Sequence, residues 1–155
     1  KGKFPEGLDL YPFQKVAVAF AEMSSGRCLI GDEMGIGKTI SAIGYAALNP
    51  KARPAVVVYP SNVKFNWKKE INKWLPNETV QVITSGKDVP ELGDFIIVNY
   101  DLMHKQHENL IRLVPKLVIL DECHYIKNSG SKNKPVKRTV ADESFDEFDS
   151  NSTDG

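Results

Sequence analysis

One run of eight residues, Asp32-Glu33-Met34-Gly35-Ile36-Gly37-Lys38-Thr39, constrains the fold of this chain more than any other feature. The apolar segment before it, Cys28 to Gly31, reads as the end of a strand. The stretch after it, Thr39 to Leu48, carries apolar residues at helical spacing. A glycine-rich turn that closes in Gly-Lys-Thr between a strand and a helix is a phosphate cradle. Backbone N–H groups and the helix N-terminus supply donors, Lys38 adds a point charge, and the Thr39 hydroxyl can ligate Mg²⁺. Met34, Gly35, Gly37, Lys38, Thr39 and Ile40 are therefore the candidate contacts for the phosphates of a nucleotide. The generic form of this loop has glycine where Asp32 stands. A chance Gly-Lys-Thr in an ordinary loop is the plain alternative, and the flanking strand and helix patterns argue against it.

A second element answers the first. The apolar run Leu117-Val118-Ile119-Leu120 ends in Asp121-Glu122-Cys123-His124. Mg²⁺ on a nucleotide needs hard oxygen ligands, and phosphoanhydride hydrolysis needs a base beside the attacking water. Two adjacent acids at the carboxyl end of a strand can divide those tasks, Asp121 toward the metal and Glu122 toward the water. An acidic pair at a strand end is often only solvated. Paired with a phosphate loop upstream, it reads as an ATPase-type site with Lys38, Asp121 and Glu122 as catalytic candidates.

Together these motifs resemble motifs I and II of helicase superfamily 2, where the second reads DEAH or DEXH. Asp in place of the first loop glycine is similar to the SWI/SNF-type DNA translocases. Further segments fall in the family's order. Leu10-Tyr11-Pro12-Phe13-Gln14 resembles the adenine-recognising Q motif, with Gln14 as the reader. Val57-Val58-Tyr59-Pro60-Ser61, followed by Trp67, Glu70 and Trp74, resembles motif Ia. Ile97-Val98-Asn99-Tyr100 stands where motif Ib does, and Lys127-Asn128 follows the acidic box. The PS-x5-W spacing and the Trp-Leu-Pro tract resemble the HARP-like annealing-helicase branch. The resemblance covers about residues 8 to 130.

What it implies is a three-layer, RecA-like P-loop NTPase lobe, the first of two, with ATP and Mg²⁺ as cofactors. Double-stranded or forked DNA is the implied partner, contacted by Ser61, Lys64, Asn99 and Tyr100. His124 would face the γ-phosphate end of the site. The family pattern stops after Asn128, before a Ser-Gly-Thr motif III and a second RecA-like lobe in cis, so the resemblance implies half of a motor. It also implies action inside the cell: the nucleus in a eukaryote, the cytoplasm in a bacterium or virus. Two other readings stay open: a nucleotide- or partner-binding module without turnover, and the lobe of an RNA helicase.

Periodicity gives the same architecture from the residues alone. Short apolar runs at 27–31, 55–60, 80–84, 95–99 and 116–121 alternate with helical patterns at 12–23, 38–48, 62–74 and 101–113. That alternation predicts an α/β layer with a parallel sheet covered on both faces. At 155 residues, 41% of them hydrophobic, one domain with a real core is expected. Twenty basic and twenty acidic residues leave no net charge, so any polyanion-binding face must come from local clustering, best in Lys64, Lys68, Lys69 and Lys73. No apolar run approaches the roughly 20 residues of a membrane span. The start, Lys1-Gly2-Lys3, reads as that of an excerpt. Cys28 and Cys123 are expected to be free thiols. Residues 1–128 make the predicted lobe. Residues 129–155 turn basic, then acidic, and are expected to form a disordered tail.

Three side chains carry competing roles at this point. Gln14 is either the adenine reader or a solvated residue on an amphipathic helix. Trp67 and Trp74, seven apart, share a helix face and are expected to pack in the core, with base stacking as the minor alternative.

Overall fold

A computed structural model of the chain describes residues 4–30, 37–61 and 67–123. Four helices and four strands follow one another as α1 (Pro12–Met23), α2 (Lys38–Leu48), β1 (Ala55–Tyr59), α3 (Trp67–Trp74), β2 (Val80–Ile83), β3 (Phe95–Asn99), α4 (Tyr100–Arg112) and β4 (Leu117–Leu120). All strand pairs are parallel, in the order β2-β3-β1-β4.

Helices cover both faces of the sheet, and the strand residues alternate between two cores. Ala55 and Val57 of β1, with Phe95 and Ile97 of β3, pack beneath α2 and α3 against Ile43, Trp67 and Ile71. Val56 and Val58, with Ile96 and Val98, face the other way and pack against Leu110 of α4. Strands buried on both sides have no polar face, which is why β1 and β3 read as unbroken runs of Val and Ile. The expected three-layer α/β architecture is the one observed.

Local chemistry sets the helix ends. Pro12 opens α1, where its missing N–H costs nothing, and Gln14 Oε1 accepts from the Tyr11 N–H at 2.9 Å. Asn99 caps α4 by accepting from Leu102 N–H at 2.8 Å, so that helix begins at Tyr100, one residue earlier than its apolar pattern predicts. Gly44 lets α1 and α2 approach closely. A Cβ there would stand 2.9 Å from Leu10 Cδ1 and 3.1 Å from Val18 Cγ2.

One expected strand did not form. Among the described residues, 27–30 belong to no strand. The chain leaves α1 through a tight cap, with Gly26 N–H bonded to Ala21 O at 2.8 Å and Arg27 N–H to Ser24 O at 3.0 Å. It then runs across a cleft from β4, an edge strand among the described residues. An apolar run becomes a strand only where a neighbouring backbone lies within hydrogen-bond reach. Here a cavity stands in between, and Leu29, Val118 and Leu120 remain largely exposed along it. The helix expected from residue 62 is described from Trp67, and the tail expected from residue 129 lies outside the described residues.

Candidate active site

Parallel strands in register bring their carboxyl ends to one edge. Val58 lies beside Leu120, and Tyr59 beside Asn99. Asp121 follows directly and ties itself to β1 through its N–H on Val58 O at 2.8 Å. Ser61, Asn99, Tyr100 and Asp121 therefore share the edge where ligands bind in open α/β sheets.

The start of α2 meets that edge. Gly37 is its N-cap, with φ 77°, a left-handed conformation that glycine adopts without strain. Its carbonyl accepts from Ile40 and Ser41. Lys38 and Thr39 then open the helix at the positive end of its dipole, where an N–H has no preceding helical carbonyl to bond. A cleft of about 300 Å³ is lined by Lys38 and Thr39 on one side and by Asp121, Glu122 and Cys123 on the other. Residues 28–30 and β4 form its apolar part. Two segments about eighty residues apart in sequence thus meet at one cavity. Thr39 offers a hydroxyl and Asp121 a carboxylate, a hard-oxygen pair of the kind Mg²⁺ takes.

Glu122 has φ 49°, one of three non-glycine residues described in the left-handed region. Such backbone is strained, and it recurs where a functional side chain must be aimed. The turn it makes ends β4.

Asp121 is held from two directions. The Trp67 indole N–H donates to Asp121 Oδ2 at 3.1 Å, and the Tyr100 hydroxyl donates to the Asp121 backbone carbonyl at 2.7 Å. Burial pushes the Tyr100 phenol up to about 12, and the neighbouring Cys123, Asp121 and Glu122 add to the rise. It therefore remains a hydrogen-bond donor throughout the neutral range. Trp67 was legible in the sequence as a core residue, and it is one, at 3% exposure. Its bond to Asp121, 54 positions away, left no local signal.

The remaining candidates are placed as follows. Gln14 is buried at 4% exposure, not solvated, and its Nε2 lies 3.5 Å from Gly37 O. It joins α1 to the cap of α2. Ile40 sits in the first turn of α2, half-buried. Ser61 is exposed and donates to Asp101 Oδ2 at 2.9 Å. Asn99 is occupied as the cap of α4 and Tyr100 with Asp121 O. Met34, Gly35, Lys64 and His124 lie outside the described residues. Cys28 and Cys123 both line the cleft as free thiols. No described helix is long and apolar enough to cross a membrane.

Comparison with known proteins agrees with this fold. A sequence profile of the family described as the SNF2-related domain matches residues 13–142. The Xenopus tropicalis SWI/SNF-related matrix-associated actin-dependent regulator of chromatin subfamily A-like protein 1 is 41% identical over 125 residues, 79% of this chain and 13% of that protein. The human DNA annealing helicase and endonuclease ZRANB3 is 38% identical over 136 residues, 82% of this chain and 13% of that protein. The chain thus spans about an eighth of the length of these relatives. Among solved structures, the Sulfolobus solfataricus SWI2/SNF2 ATPase core in complex with dsDNA superposes with a TM-score of 0.67 and 26% identity. That match covers 81% of this chain and 28% of the archaeal one.

Proposed function

The chain belongs to the SNF2-related domain family, and from that footing we propose that it is the ATP-binding lobe of an ATP-driven DNA translocase or annealing helicase. One observation carries the reading: Lys38 and Thr39 line the same cleft as Asp121 and Glu122. A phosphate-binding helix start and a carboxylate pair together supply what phosphoanhydride hydrolysis asks of one lobe.

In this reading the first-turn N–H groups of α2 and the Lys38 ammonium bind the β- and γ-phosphates. Thr39 and Asp121 hold Mg²⁺, which when bound neutralises phosphate charge. Glu122 takes the proton of the attacking water. Gln14, packed against the cap of α2, adjoins the adenine. Residues 1–128 form the lobe, 129–155 an appended tail, and a second RecA-like lobe in cis completes the site. Duplex or forked DNA is the polymer, supported by the human DNA annealing helicase among the relatives and by the structural neighbour's complex with dsDNA. At the sheet edge Ser61 and Lys64 are its foremost phosphate donors, with Asn99 and Tyr100 beside them. In a eukaryote the protein acts in the nucleus.

Calorimetry with MgATP tests the core of the proposal. Lys38→Ala should abolish or severely weaken binding while far-UV circular dichroism stays unchanged. Equal affinity in wild type and variant would refute the phosphate-loop reading. In a length of the protein that includes the second lobe, stimulation of ATP hydrolysis by duplex DNA, set against RNA, separates the translocase from an RNA helicase. Binding without turnover under either polymer, with that lobe present, would favour a nucleotide-binding module.

A further inference from the structure

Trp67 and Trp74 stand seven residues apart on α3, and both are buried, at 3% and 7% exposure. Their indole N–H groups are treated differently. Trp74 Nε1 has no hydrogen-bond partner among the described residues, whereas Trp67 Nε1 reaches the Asp121 carboxylate at 3.1 Å. The Trp67 bond ties α3 to the acidic pair at the end of β4.

A second tether reaches the same residue from the other face of the sheet. The Tyr100 hydroxyl, at the first position of α4, donates to the Asp121 carbonyl at 2.7 Å. Side chain and backbone of one carboxylate residue are thus fixed by two aromatic donors, from α3 beneath one face and α4 on the other. Asp121 lies at a strand end, where β4 has only β1 as its neighbour among the described strands. Its backbone N–H is held there by Val58 O of β1, and the two aromatic donors fix its carbonyl and carboxylate in addition.

We infer that Trp67 and Tyr100 are positioning residues for Asp121: the indole engages Oδ2 so that Oδ1 is presented to the cation, and the phenol fixes the peptide that sets the carboxylate's origin. The inference rests on the reading of Asp121 as a ligand of the nucleotide's Mg²⁺. Outer-shell donors of this kind orient a ligating carboxylate, and their loss typically costs roughly 10- to 100-fold in metal affinity. The two donors also tie α3 and α4 to the acidic box. The sheet edge that carries Ser61 and Asn99 is then mechanically continuous with the metal ligand.

The test is ATP affinity of the 155-residue chain measured by calorimetry with Mg²⁺ and again in EDTA, for wild type, Trp67→Phe, Tyr100→Phe and Asp121→Asn. Trp67→Phe keeps an aromatic ring in the core and deletes only the donor. The expected result is a roughly 10- to 100-fold loss of the Mg²⁺-dependent gain in affinity, with affinity in EDTA unchanged. A purely structural role would lower both affinities together, and that result would overturn the inference. Asp121→Asn separates the two layers. If it removes the Mg²⁺ effect while Trp67→Phe and Tyr100→Phe retain it, the positioning inference fails and the nucleotide reading stands. If it leaves the Mg²⁺ effect intact, both fail. Should Trp67→Phe not fold, the indole N–H resonances of ¹⁵N-labelled protein decide. Asp121→Asn must shift the Trp67 signal while leaving Trp74 in place, and an unmoved Trp67 signal overturns the inference.

Discussion

Gln14 and Gly37, 23 positions apart, meet with the Gln14 amide nitrogen 3.5 Å from the Gly37 carbonyl oxygen. A Cβ built on Gly37 would stand 2.6 Å from that same nitrogen. The contact binds the start of α1 to the cap of α2, and a side chain at 37 would force the Gln14 amide to move.

Gly37→Ala is therefore opposed twice, by its φ of 77° and by Gln14. Left-handed backbone alone costs a non-glycine residue about 1–2 kcal/mol. The substitution should lower stability by at least that much in urea titration and weaken MgATP binding, because α2 must shift. Trimming the opposing side chain should restore part of the loss. Gln14→Ala combined with Gly37→Ala should cost less than the sum of the two single changes. Strict additivity would mean that the contact has no energetic weight.

Arg53 and Glu78 form a pair at 3.1 Å whose side chains are 10% and 3% exposed. The guanidinium also lies 4.4 Å from the Phe95 ring centroid and donates to Ala46 O, near the end of α2. Glu78→Ala leaves that cation buried beside an aromatic ring with its carboxylate gone. Breaking such a pair from one side costs about 3–5 kcal/mol, and replacing both members with apolar residues costs far less. Urea melts of Glu78→Ala and of Arg53→Met/Glu78→Leu should rank in that order. The reverse ranking would show that the ion pair itself is what stabilises this corner.

The sequence disclosed what is contiguous. The loop ending in Lys38-Thr39, the Asp121-Glu122 pair and the Val and Ile runs of β1 and β3 are short stretches whose chemistry or burial is written in neighbouring residues. The parallel sheet followed, and with it the edge where the two motifs meet. The segment 27–30 was misread because its apolar residues are real, yet a strand also needs a partner backbone, which no local pattern reports. Gln14 could be read as buried or solvated, since one polar residue on a helix fits either face. The Trp67–Asp121 bond was out of reach for a different reason. A tryptophan on the apolar face of a helix satisfies the packing pattern completely, and only the folded register shows what its N–H meets.

Tyr100 gives the chain an alkaline signature. Its phenol is pushed up to about 12, against 10 for an ordinary tyrosine, first by burial and then by the surrounding negative groups. The unfolded chain therefore loses this proton at lower pH than the folded one. The stabilising contribution is complete below pH 10, and falls progressively as pH rises from 10 to 12. Thermal scans across that window should show a steeper loss for wild type than for Tyr100→Phe, which has no proton to release there. Parallel slopes would mean that Tyr100 ionises as readily folded as unfolded.

Glu122 is the residue whose substitution separates chemistry from binding. It follows the proposed metal ligand directly, lines the cleft opposite Lys38, and sits in a left-handed turn with φ 49°. Glutamine matches glutamate in size and in backbone preference, so Glu122→Gln keeps the turn and removes the negative charge and with it the capacity to accept a proton. MgATP affinity should stay within a few-fold of wild type, because Lys38, Thr39 and Asp121 are the residues proposed to hold the phosphates and the cation. Turnover, measured in a length of the protein that hydrolyses ATP, should fall by about 10²- to 10⁴-fold, the usual worth of a positioned general base. Asp121→Asn should behave differently and lose the Mg²⁺-dependent part of binding. The contrast between the two neighbours is the critical reading. Steady-state ATPase rates with duplex DNA present, set beside calorimetric affinities for the same proteins, supply it. Normal turnover in Glu122→Gln would remove this residue from the mechanism and shift the proton acceptor elsewhere in the cleft.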